Sequence, residues 1–150
     1  MKKTTDELIK ELESERSIED YFNKNDNDDM IFEDLYDLIK HYMTIKKLKK
    51  SSVIERAQLS KVYGYEILSG RSKKRVSRDR VIQLCFGLML DKDESQRLLK
   101  ESGYGPLYPR NTRDSIILYS IMNGRSVIET NETLAGYGLP LLFSVKDDPV

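Results

Sequence analysis

Apolar residues recur along most of the chain at spacings of three and four, the period of a helix with one buried face. Thr4 and Glu7 stand at the two ends of a capping box, and Leu8, Ile9 and Leu12 follow, so a short amphipathic helix is predicted there. Ser17 with Asp20 opens a second short piece carrying Ile18, Tyr21 and Phe22, and the polar run 23–29 interrupts the pattern. Between residues 31 and 45 the set Ile31, Leu35, Leu38, Ile39, Tyr42 and Ile45 predicts a helix of about four turns. The expected fold class is all-α.

Two later segments resemble each other at an offset of 35 residues: Ser77, Arg78, Asp79, Ile82, Cys85, Glu94, Leu99 and Gly103 stand opposite Thr112, Arg113, Asp114, Ile117, Ser120, Glu129, Leu134 and Gly138. Each copy has a hydroxyl residue suited to cap a helix with Asp two places on, then a second cap (Asp91 with Glu94, Ser126 with Glu129) and a closing glycine. Both read as helix hairpins. A true duplication and a shared capping grammar explain the likeness equally well at this stage. The connector 103–111, with Pro106 and Pro109, is rich in turn formers.

Composition narrows the chemistry. A single cysteine, Cys85, excludes an internal disulfide, and its neighbours Leu84, Phe86 and Leu88 make it a small buried apolar residue. With no apolar run of membrane-spanning length and no hydrophobic stretch behind the first residues, a cytoplasmic protein with no membrane association is expected. Asp26, Asn27 and Asp28 do not make a calcium loop, because Ile31 and Asp37 stand where glycine and glutamate are needed. The lone His41 lies among apolar helix positions and has no metal-ligand partners in sequence. Neither a phosphate loop nor a nucleophile-base combination is present, so the chain is read as a non-enzyme without cofactor or metal.

The net charge is zero, but the charges are segregated: residues 1–37 hold 5 basic and 13 acidic residues (net −8), and residues 46–80 hold 12 basic and 3 acidic (net +9). Such asymmetry points to a polyanion-binding stretch, provided the basic residues share one face. The acidic arm is expected either to be attracted to the basic stretch, as a brake on polyanion binding, or to serve as a solubilising or dimer-forming element through Leu8, Ile9, Leu12, Ile18, Tyr21 and Phe22.

Residues 31–103 resemble the DNA-binding domain of the lambda-repressor-like (Cro/CI, or XRE) helix-turn-helix family. The likeness rests on Leu48, Val53, Ala57, Leu59 and Ile67 at its apolar positions, with Gly70 after the last helix. It implies a first helix at 31–45, a second at 50–57, a turn at Gln58 and Leu59, and a recognition helix at 60–69, opened by Ser60 and closed at Ser69. Ile54 stands where the family has a small residue, and Gly64 where it has Ile or Val; the two positions meet where the helices cross, so volume is conserved. Lys50 and Gln58 replace the usual Gln and turn glycine.

By the same resemblance Lys61, Val62, Tyr65 and Glu66 would meet base edges of double-stranded DNA, while Lys49, Lys50, Ser60, Arg71, Lys73, Lys74 and Arg75 would lie on phosphates. The implied layout is an acidic helical arm (1–30), a helix-turn-helix domain (31–103) and a C-terminal hairpin (104–150). The implied function is a transcriptional regulator acting as a homodimer. A protein-interaction adaptor on the same scaffold, engaging partners through its terminal helices, is the competing expectation.

Overall fold

The computed structural model describes residues 3–15, 18, 35–72 and 75–144. Eight helices and no strand are found among them, and the chain divides into two compact units, residues 1–33 and 34–150. Helix α1, Thr5–Ser14, belongs to the first unit; Thr4 Oγ1 accepts from Glu7 N at 3.2 Å, and Ile9 and Leu12 are exposed. The expected polar break and most of the second short piece lie outside the described residues.

The second unit comprises α2 (Leu35–Lys46), α3 (Lys50–Ala57), α4 (Lys61–Leu68), α5 (Arg78–Gly87), α6 (Lys92–Glu101), α7 (Thr112–Met122) and α8 (Val127–Gly136). Ser60, Ser77, Asp91, Asn111 and Ser126 open five of these helices, each side chain accepting the N–H three residues on. At the start of α7 the expected cap, Thr112, is instead the first helical residue. Asn111 Oδ1 takes the Asp114 N–H at 2.9 Å, as suits a residue that ranks above Thr at this position. At Asp91–Glu94 and Ser126–Glu129 both halves of the capping box form. Its backbone bonds hold the Glu129 carboxyl below the usual carboxylate range.

The seven helices α2 to α8 all stop in the same way. Residues 47, 58, 70, 89, 103, 124 and 138 take positive φ, and the next N–H reaches back five residues, as Leu48 N does to Met43 O and Leu59 N to Ile54 O.

Helix α5 is the hub, with residues 80–88 buried between α3 and α6. Leu38, Ile39 and Tyr42 of α2 enter the core, but Ile45, expected with them, is exposed. The buried stripe follows 38, 39 and 42, and the position that continues it is Lys46, whose ammonium pairs with Glu94 at 3.0 Å. No described helix is long and apolar enough to cross a membrane.

Candidate nucleic-acid interface

Helices α3 and α4 begin and end within one residue of the bounds that the resemblance implies, 50–57 and 60–69, and their crossing depends on one pair of residues. A Cβ added at Gly64 would lie 2.7 Å from Ile54 Cγ1, so the large residue of α3 fills the space that the glycine of α4 leaves. Between the helices Gln58 adopts φ 59° and ψ 37°, a left-handed conformation that costs an L-residue about 1–2 kcal/mol. Its side chain offsets part of this by donating to Glu55 O at 2.9 Å. From α5, Gln83 Nε2 donates to Ala57 O at 2.9 Å and is 3.4 Å from Gln58 O, so buried Gln83 satisfies the carbonyls that end α3.

On α4 the residues expected to meet base edges, Lys61, Val62, Tyr65 and Glu66, are all exposed. Spacings of one, three and one place them on one side of the helix. Val62 is 58% exposed and Tyr65 38%, apolar surface of the kind interfaces use.

The expected phosphate contacts divide. Lys49, Lys50 and Arg71 are exposed, and Lys50 Nζ donates to Ser69 Oγ at 3.4 Å. Ser60 caps α4 through Tyr63 N. Arg75 is exposed as well, but its guanidinium donates to Ser102 O and Gly103 O at 3.3 and 3.0 Å and lies 4.2 Å above the Tyr104 ring. Lys73 and Lys74 lie outside the described residues. The basic stretch is therefore only partly outward, since Arg56, Arg78 and Arg80 also bond to main-chain carbonyls of the fold.

The exposed side of α4 borders an open groove of about 1390 Å³. Its other walls are Arg71, Ser72, Arg75, Ser77 to Arg80 and the segment Pro140, Leu141 and Leu142, which no sequence pattern of the helix pair indicates. That segment is held by the second of the two similar hairpins. Arg78 makes a bidentate pair with Asp114 at 3.1 and 3.0 Å, and Arg113 makes the reciprocal pair with Asp79 at 3.0 and 3.1 Å. Arg78 also donates to Pro106 O, and Arg113 to the equivalent Leu141 O. Leu107 N bonds Gln96 Oε1 and Leu142 N bonds Asn131 Oδ1, both at 2.8 Å, with both leucines 1% exposed. Each of these equivalences has the same offset of 35, so the likeness seen in sequence extends to specific tertiary bonds, beyond capping grammar alone.

Chemistry other than binding has few candidates. No cluster of His, Cys, Asp and Glu that could hold a metal occurs among the described residues. Cys85 is 0% exposed, and burial pushes its thiol up to about 12, so it is neither nucleophile nor ligand at neutral pH. Comparison with family models, curated proteins and solved structures finds no match to this chain.

Proposed function

We propose that this chain is a regulator that binds double-stranded DNA in a sequence-specific manner, with α3 and α4 as a lambda-repressor-like helix-turn-helix and α4 as the recognition helix. The observation that carries the reading is the joint exposure of Lys61, Val62, Tyr65 and Glu66 on one side of a helix that is capped at Ser60 and seated on α3 by the Ile54–Gly64 contact. Lys61 suits the acceptors of guanine, Glu66 the amino group of cytosine, and Val62 the methyl of thymine. Lys49, Lys50 and Arg71 would supply backbone contacts.

The test is binding to random and selected duplexes at two salt concentrations. Arg71→Glu is expected to weaken binding on every sequence and to lower the log–log salt slope by about one, whereas Lys61→Ala should change which sequence is preferred. Absence of binding to any duplex at low salt would overturn the reading.

One observation favours a second reading, an adaptor that grips a protein. Pro140 to Leu142 wall the groove beside α4, and buried Arg80 is occupied within the fold. An extended segment laid along α4 needs less room beside that wall than a duplex does. If the DNA test fails and Tyr65→Ala still abolishes capture of a protein partner, the adaptor reading stands.

A further inference from the structure

The 35-residue equivalence also shows which surface of the second unit has no neighbour among its described residues. On α5, Gln83 and Gly87 receive α3: Gln83 Nε2 reaches Ala57 O at 2.9 Å, and a Cβ at Gly87 would lie 2.5 Å from Val53 O and 2.9 Å from Ala57 Cβ. Leu84, between them, is 0% exposed. The equivalent residues of α7 are Leu118, Tyr119 and Met122, and here Tyr119 is 58% and Met122 57% exposed. A hairpin repeat cannot bury its apolar face alone and relies on a neighbour to do so. The first hairpin has α3 as that neighbour.

The substitutions also indicate what kind of neighbour fits. Where α5 carries Gln83, to satisfy the carbonyls ending a helix, α7 carries Leu118; where α5 carries Gly87, to admit a backbone, α7 carries Met122. The face thus matches apolar side chains and not a helix end. Residues 115–122 contain no charged side chain, and the charges at the start of α7, Arg113 and Asp114, are held in the reciprocal pairs. In a two-fold interface, residues near the axis meet their own copies, so like charges there repel and a neutral strip is self-complementary. Met122 also shares a groove with Met89 and Ile128, which are 59% and 50% exposed; that groove is lined as well by charged Arg125 and Glu129, so the neutral strip is α7 itself and Ile128 flanks it. Adaptable Met side chains together with Tyr are characteristic of interface cores.

We infer that α7, through Tyr119 and Met122 with Ile128 beside them, is the contact between two copies of this chain. The contact is independent of the DNA reading: it needs only a second copy, and its particle carries two α4 helices. One face of an 11-residue helix is a small interface, so dissociation in the micromolar range is expected.

Sedimentation of the full chain from about 1 µM to about 1 mM tests this. Wild type should pass from monomer to dimer, and Met122→Glu should raise the dissociation constant at least about tenfold while circular dichroism and melting show an intact fold. Met122→Cys should be joined by a short bifunctional maleimide at dimer concentrations, while wild type, whose only thiol is the buried Cys85, is not. A wild type that stays monomeric throughout, a dimer indifferent to Met122→Glu, or a Met122→Cys dimer that fails to cross-link would each overturn the inference.

Discussion

At the scale of single residues, the contact between Ile54 and Gly64 makes the most demanding prediction. Alanine is the better helix former by about 1 kcal/mol, yet Gly64→Ala should destabilise the protein by about 1–3 kcal/mol, because its Cβ would lie inside the contact distance of Ile54. Ile54→Ala should cost about 2–5 kcal/mol through the cavity it leaves. Combined, the two should cost less than their sum, which urea unfolding of the four proteins in a double-mutant cycle reads directly. Strict additivity would show that the residues do not compete for one space.

Cys85 makes a second residue-scale prediction. Its thiol, raised from 9.0 to about 12, stays neutral in the folded state at pH values where the unfolded chain already ionises. The unfolded state then binds fewer protons, so this stabilisation is complete below pH 9 and is lost as pH rises towards 12, by up to about 1.4 kcal/mol per unit. Tyr42, likewise raised to about 12, adds to the loss above pH 10. Stability measured between pH 9 and 10 should fall in wild type and stay nearly level in Cys85→Ala.

At the scale of elements, helix boundaries are legible in sequence because caps and stops are local chemistry. Three residues then fix one N–H, and six fix one C-terminal turn. Capping therefore places Ser60, Ser77, Asp91 and Ser126 as expected, and the one exchange, Asn111 for Thr112, is between adjacent residues able to do the same work. What joins the elements is not legible in this way: the carboxylates of Asp79 and Asp114, placed by pattern at helix N-termini, are each taken by an arginine of the other hairpin. Asp114 is the more enclosed, with 11% of its side chain exposed against 33% for Asp79, and it also accepts from Tyr108 N at 3.0 Å. Asp114→Ala should therefore cost about 2–3 kcal/mol and Asp79→Ala distinctly less, as denaturant midpoints at constant slope would show.

At the scale of the whole molecule, the resemblance to a known domain stops near residue 103, but the packing continues. Residues 34–150 form one compact unit, and Leu107, Ile117, Leu134 and Leu142, all beyond 103, are almost fully buried. A chain ending at residue 103 would expose what these side chains cover and leave Arg78 and Asp79 without their partners. Its melting transition should fall well below that of the full chain or lose cooperativity, and an unchanged transition would make the second hairpin an accessory. By itself the sequence determined the helical class, the capping residues Ser60, Ser77, Asp91 and Ser126, the burial of Cys85 and the 35-residue likeness; the ends of α3 and α4 and the Ile54–Gly64 complementarity came through its resemblance to a known domain. Class and caps depend on a periodicity or on contacts within one element, and the likeness is visible because it is written in residue identities. Tertiary structure alone decided that Arg80 turns inward, that exposed Arg75 bonds the carbonyls of Ser102 and Gly103, that Ile45 turns out, and that Pro140 to Leu142 stand beside α4. An arginine reads as basic whether it faces solvent or a helix-ending carbonyl, and only the positions of residues far away in the chain determine which partner lies within its reach.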